Sequence, residues 1–323
     1  MSRRTFRTEV PVEKSKIQLG LDDQVLTIGS CFSDVIGGFL EQFKFNVLSN
    51  PFGTVYNPVS IFKLLAKSEI DQQLILQRDD LYLHHDFHSK LAAGSADELY
   101  QLIRRHQQQM EDFIRSCRLI IITVGTSVVY EHRSSDEIVA NCHKVPQKNF
   151  NRRLLSVDEM HLAFDEFYEA LRTLNNNADV LFTVSPVRHI KDGLQLNQVS
   201  KSLLRIFVHE LVHQDDKIHY FPSYEVVMDE LRDYRFYSRD MIHPSPEAEA
   251  YIWDLFRRAW LSDDTNQFIQ DWQKILDAIN HRAFNPNSDK HQLFIQNTLQ
   301  NLRSFANITD ISKEEQLLSQ QLK

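Results

Sequence analysis

From Gln24 onward the chain alternates short apolar runs with longer stretches whose apolar residues recur at helical spacing. QVLTIG, residues 24–29, predicts a buried strand. Directly after it, Phe32, Val35, Ile36, Phe39, Leu40 and Phe43 lie three and four apart, which predicts a helix with one core face. RLIIITV, 118–124, is rich in Ile and predicts a parallel strand covered on both faces, with a helix over roughly 96–115 ahead of it. DVLFTV, 179–184, predicts a third strand, preceded by a helix carrying Met160, Phe164, Phe167, Leu171 and Leu174 on one side. After the Asp192-Gly193 turn signal, Leu203, Leu204, Phe207, Val208, Leu211 and Val212 predict another helix. KIHYFPS, 217–223, predicts a short last strand. Ser245 and Pro246 suit the cap and first position of a helix that buries Tyr251, Ile252, Leu255, Phe256 and Trp260.

Strands alternating with helices predict an α/β fold, a parallel sheet with helices on both faces. Residues 264–323 differ. They are helical by period (Phe268, Trp272, Ile275, Leu276, Ile279, then Phe294, Thr298, Leu302) and rich in Gln and Asn. The expected organisation is a domain over 1–262 and a helical C-terminal extension over 263–323. That extension either packs on the domain or supports a homo-oligomer, and its last dozen residues are expected to fray.

Composition narrows the class. The chain has 323 residues, 42% hydrophobic and 25% charged, enough for a packed core. The net charge of −8 is spread along the chain, which argues against nucleic acid or an anionic membrane as partner. No stretch reaches the roughly 18 apolar residues of a membrane span, and the basic start MSRRTFRTEVPVEK has no apolar run behind it, so a cytoplasmic location is expected. Cys31, Cys117 and Cys142 are odd in number and lack metal-type spacing, which argues against disulfide scaffolding and zinc. LYLHHDFHS, 81–89, alternates apolar residues and reads as an edge strand with exposed imidazoles at His84, His85 and His88 rather than as a metal site. There is neither a Gly-x-Gly-x-x-Gly after the first strand nor a phosphate-cradling loop, and no cofactor is expected.

In open parallel sheets, ligands bind beyond the carboxyl ends of the strands. Gly29-Ser30-Cys31, Gly125-Thr126-Ser127 and the run Ser185 to His189 all fall there. A nucleophile in the first turn of a helix gains from the free N–H groups and the dipole, which favour its anion. The same N–H groups can hold an oxyanion. Asp240 and His243, three apart before the last domain helix, suit a carboxylate–imidazole pair that supplies the base. Asn141-Cys142-His143-Lys144 is compact and polar and suits either a pocket wall or a surface turn. His189 sits at the expected site edge, where substrate contact and a plain surface role weigh equally. Asn197, Ser200 and Lys201 open the following helix, where capping and solvation are favoured over ligand contact.

Gly29-Ser30-Cys31-Phe32-Ser33 closely resembles the signature of the GSCFA family, a group within the SGNH (GDSL-like) hydrolase superfamily. FRTEVPV (6–12), NPFGTVYNP (50–58), NCHKVP (141–146), TVSPVRH (183–189), SKSLL (200–204), FPSYE (221–225) and Asp240-x-x-His243-Pro-Ser also look like the family's pattern, over roughly residues 4–262. The resemblance implies a flavodoxin-like α/β/α sandwich with a Cys- or Ser-His-Asp site. The superfamily places its nucleophile two residues after Gly, which falls on Cys31, with Ser30 the alternative. Gly53 best matches the glycine that lends an N–H to the oxyanion hole. The third block expects Gly-x-Asn, where this chain has Gly125-Thr126-Ser127, so the amide donor is missing or comes from elsewhere, with Asn57 and Asn141 as substitutes. The implied activity is hydrolysis or transfer of a small O-acyl group, such as acetyl, on a small or carbohydrate-like ester. The alternative is a non-catalytic protein that binds a glycan or metabolite on the same fold.

Overall fold

A computed structural model describes residues 7–66 and 69–322. β1 (Gln24–Gly29) runs into α1 (Cys31–Gln42), followed by β2 (Asn46–Ser49) and α2 (Pro58–Ala66). A hairpin of β3 (Ile75–Arg78) and β4 (Leu81–His84) precedes α3 (Ala96–Ile114) and β5 (Leu119–Val124). β6 (Val128–His132), β7 (Ile138–Val139) and β8 (Phe150–Leu154) come before α4 (Val157–Leu174) and β9 (Asp179–Val184). Next are α5 (Leu194–Val212), β10 (Ile218–Tyr220), the single turn α6 (Ser223–Glu225) and, after a π-helical turn at Val226–Glu230, α7 (Pro246–Trp260). α8 (Asp263–Asn280), α9 (Asp289–Arg303) and α10 (Ser312–Ser319) follow. The FRTEVPV stretch starts at Phe6, outside the described residues. Further along it, the Val10 N–H donates to Glu230 at 2.9 Å.

The central sheet has the order β10-β9-β5-β1-β2 and every pair in it is parallel. Counted among its own strands this is 2-1-3-4-5, the flavodoxin-like order. The winding direction reverses at β1, between β2 and β5, and a crevice opens there over the strand ends. The strands are apolar throughout because both faces are covered. Leu26, Ile28, Ile120, Ile122, Val180 and Phe182 join a core with α2, α3, α4 and α5. Val25, Leu119, Ile121 and Leu181 join a second core with α1 and α7. Successive residues thus serve opposite layers, as a pleated strand dictates.

The C-terminal helices belong to that second core. Trp272 of α8 is fully buried and its Nε1–H donates to the Gln42 carbonyl at 3.1 Å. Lys44 lies 2.8 Å from Glu314 of α10 and 5.1 Å over the Trp272 ring. The expected packing of 263–323 on the domain is present. α10 is not a frayed end, because Leu318 is fully buried and Glu314 is paired.

Two sets of elements escape the apolar pattern. β2 is a four-residue edge strand of mixed polarity. β6, β7 and β8 form a separate antiparallel sheet, ordered β7-β6-β8. β6 starts just after Ser127, so the chain leaves the end of β5 and immediately builds a wall beside the crevice.

Candidate active site

The Gly29-Ser30-Cys31 turn is built by close backbone approach. Gly29 has φ +136°, and a Cβ there would lie 2.1 Å from the Thr123 carbonyl oxygen, so only glycine fits. The Ser30 N–H donates to that same carbonyl at 3.0 Å. Asn50, itself left-handed at φ +39°, accepts the Gly29 N–H on Oδ1 at 2.9 Å and donates Nδ2–H to Asp34 at 2.7 Å. Ser30 caps α1: its Oγ accepts the Phe32 N–H at 3.4 Å and the residue is buried. Cys31 is the first residue of α1, half-buried, and lines a cavity of about 330 Å³.

His243 lines the same cavity. Its Nδ1–H donates to Asp240 Oδ2 at 2.7 Å, while Asp240 Oδ1 accepts the N–H groups of Ile242 (2.9 Å) and His243 (3.1 Å). The hydrogen bond from the imidazole, helped by those two N–H groups, brings the Asp240 carboxyl down to about 2. A left-handed Met241 (φ +59°) lets the loop close around the carboxylate. The Ser238 N–H donates to the His243 carbonyl at 2.7 Å, and the Arg188 N–H to the Ile242 carbonyl at 3.3 Å, tying the loop to the end of β9. The two segments expected to meet, 29–31 and 240–243, therefore share one cavity at the switch point of the sheet.

The helix after β9 reaches further into this region than its polar composition suggests. Asn197, Ser200 and Lys201 are buried rather than solvated. The His189 N–H donates to Asn197 Oδ1 at 2.9 Å. Ser200 Oγ accepts the Ser127 N–H at 2.7 Å and bonds Thr126 Oγ1 at 3.0 Å. Lys201 Nζ donates to the Gly125 carbonyl (2.7 Å) and the Ser185 carbonyl (2.6 Å), joining the ends of β5 and β9, and no carboxylate pairs with it among the described residues. Burial lowers its pKa to about 7, opposed by the charge of a Cys31 thiolate. His189 lines the cavity with an Nε2 that is buried and unpartnered. Burial, then the charges of Lys201 and His243, lower its pKa to about 4, so the ring is neutral at pH 7.

The N–H groups expected to favour a Cys31 thiolate are present, as is the Lys201 charge, but burial outweighs them. Desolvation, and secondarily Asp34, raise the Cys31 pKa above its ordinary value. Cys117 is buried deeper and pushed up to about 12.

The remaining expected residues take other roles. The Gly53 N–H donates to the Asn50 carbonyl at 2.8 Å, and a Cβ on Gly53 (φ +75°) would meet His88 at 2.3 Å. The Gly125 N–H donates to the Tyr56 carbonyl at 2.7 Å. Both amides are spent on backbone shape, so neither glycine offers an oxyanion N–H. Asn57 lines the cavity, but its side chain caps α2, accepting the Ser60 N–H at 2.8 Å and donating to Ser60 Oγ at 3.0 Å. Asn141 and His143 line a different crevice, of about 410 Å³, with Arg78, Asp79 and Leu81. Asn50, Tyr56 and the valines of β6 and β7 were not singled out, and Arg188 lay within the candidate run Ser185 to His189 without a role of its own. Only Arg188, next to His189 at a strand end, carried a positional signal.

The imidazoles of LYLHHDFHS are not all exposed. His84 Nε2–H donates to the Asp71 carbonyl (2.9 Å) and its Nδ1 accepts the Asp86 N–H, while His85 Nδ1–H donates to the Asn141 carbonyl (2.7 Å). Both residues are buried, and burial lowers both pKa values. Among the described residues no group of three His, Cys, Asp or Glu is placed to hold a metal.

Residues 24–256, from the start of β1 into α7, match the profile of the GSCFA family. The chain belongs to the GSCFA family. The span matched as GSCFA holds every residue of the site just described. A second profile, the C-terminal domain of GSCFA domain proteins, matches residues 272–323, which include the second half of α8 and all of α9 and α10. No curated protein matches this GSCFA chain. No helix among the described residues is long and apolar enough to cross a membrane.

Proposed function

We propose that this GSCFA protein is an SGNH-type hydrolase or acyltransferase acting on a small O-acyl ester through Cys31, His243 and Asp240. The observation that carries this reading is that Cys31 and His243 line one cavity while Asp240 engages the other ring nitrogen at 2.7 Å. In the proposed reaction Cys31 Sγ attacks the ester carbonyl carbon and its proton passes to His243 Nε2. The carbon–oxygen bond to the alcohol then breaks, and His243 returns the proton to the leaving oxygen. Water or a second alcohol then takes the acyl group from the thioester. Asp240 holds the imidazole and supports its charge. With Gly53 and Gly125 spent, the donors left for the oxyanion are the Cys31 N–H at the open end of α1 and Nε2 of neutral His189. Ser30 is the weaker nucleophile because its Oγ is buried and occupied as a cap. Three free cysteines suit a reducing compartment, which favours the cytoplasm.

The spent glycine amides and the raised Cys31 pKa favour a second reading, a binding protein for a glycan or metabolite. Hydrolysis of p-nitrophenyl acetate separates the two. Cys31→Ala and His243→Ala are expected to lose about 10³-fold or more in rate, and Ser30→Ala to keep most of it. Equal slowness in all four proteins sinks the hydrolase.

A further inference from the structure

We propose that the ligand of this cavity is anionic: a small ester whose phosphate or carboxylate is held by Arg188 and Lys191, with its acyl chain along the valines of β6 and β7. The word ester rests on the acyl-transfer reading; the anion site does not. The cavity is lined by Arg188 and Lys191 and by no Asp or Glu, in a chain whose net charge is −8. Lys201, buried under the ends of β5 and β9, adds a third basic group. A positive hollow in an acidic protein favours negative ligands over neutral or positive ones.

Arg188 is the strongest part of the case. Its guanidinium lies 4.0 Å from the Tyr237 ring centroid and 5.2 Å from that of Tyr234. Its backbone N–H anchors the loop that carries His243. Arg118, Arg153, Arg205 and Arg257 all pair with carboxylates. Arg188 has no such partner among the described residues. Stacking against aromatic rings fixes the guanidinium plane, and a planar fork suits the paired oxygens of phosphate or carboxylate. Arg188 also borders two adjoining crevices, of about 130 and 180 Å³, and so stands where the reaction cavity meets its surroundings.

The opposite chemistry lines the rest. Val128, Val129, Val139 and Ala140 come from β6, β7 and the residue after β7, and Val187 and Ile242 complete an apolar wall. A volume of about 330 Å³ is at the low end for ligand sites, which run from about 300 to 1,000 Å³. It suits a small molecule or the end group of a larger one. A neutral acetylated sugar would leave the guanidinium charge unpaired and most of the wall uncovered.

Calorimetric titration of the full chain tests this, with butyl phosphate, pentanoate, inorganic phosphate and butanol as probes. One of the two alkyl anions is expected to bind at least about tenfold more tightly than butanol, and the tighter one names the headgroup. Inorganic phosphate should bind more weakly than butyl phosphate, and the anion affinity should fall as salt is raised. Arg188→Gln should weaken anion binding about tenfold and Lys191→Gln by a smaller factor, with thermal melting showing that each is folded. If Arg188→Gln does not fold, Lys191→Gln and the salt dependence decide. Butanol binding as tightly as the anions, absence of anion binding, or unchanged affinity in the folded variants overturns the anion site; inorganic phosphate binding as tightly as butyl phosphate overturns the valine wall. Anion binding without His243-dependent hydrolysis sinks acyl transfer and leaves this site standing, whereas hydrolysis without anion preference does the reverse.

Discussion

Lys201 shows how much one residue's surroundings decide. A lysine in a helix ordinarily extends into water, yet this one is fully buried between two strand-end carbonyls. Its pKa falls from the ordinary 10.5 to about 7. Between those values the unfolded chain binds a proton that the folded chain does not, so stability rises with pH from about 7 to 10.5 and is lost again as pH falls back toward 7. Lys201→Met removes that gradient and also leaves two carbonyls without a donor. Urea unfolding at pH 7 and pH 9 should show wild type gaining stability over that interval by more than the variant does. Parallel behaviour of the two proteins would mean that Lys201 stays charged in the fold. The same burial separates the cysteines: Cys31 is half-buried on the cavity, whereas Cys117 is inert in the core.

At the scale of elements, the junction between β1 and α1 sets the site. The strand must stop close against β5, turn at once, and start a helix with Cys31 at its first position. Gly29 makes that possible because no side chain fits between it and Thr123. Gly29→Ala combines a backbone clash with a conformation that L-residues avoid. It is expected to cost about 3 kcal/mol or more, read from denaturant midpoints, together with loss of the proposed hydrolysis because Cys31 is displaced. A cost below about 1 kcal/mol would mean the turn is far more pliant than its hydrogen bonds to Thr123 and Asn50 suggest. The loop at 240–243 is built differently, from a carboxylate that gathers two backbone N–H groups and one ring N–H. It presents the imidazole without help from regular structure.

For the whole molecule, the two cores divide the labour. The one on the α2–α5 face is built from the GSCFA-matched span, while the one on the α1 and α7 face extends through α8, α9 and α10. Trp272 is the largest fully buried side chain and it ties α8 to the end of α1. Trp272→Ala should lower the stability of the entire chain by about 3–5 kcal/mol, with helical circular dichroism and Trp fluorescence losing signal in one coincident transition. Two separated transitions would show instead that the C-terminal helices unfold on their own and are not part of the domain's core.

The sequence by itself determined the layers and the position of the candidate site. Uniform apolar runs marked β1, β5 and β9 because both faces of those strands are buried, and helical spacing marked the helices that cover them. Gly29-Ser30-Cys31, Asp240 and His243 were legible because each lies at a boundary where periodicity stops. Periodicity reports which face of an element is buried, and nothing about which distant group a polar atom meets. Only the tertiary structure decided that Ser30 caps a helix while Cys31 faces the cavity, and that the Gly53 and Gly125 amides bond to backbone. It alone turned Lys201 inward and left Arg188 stacked and without a carboxylate. Each of those outcomes depends on which segments pack together, because a buried donor or charge takes its role from the partners that folding supplies.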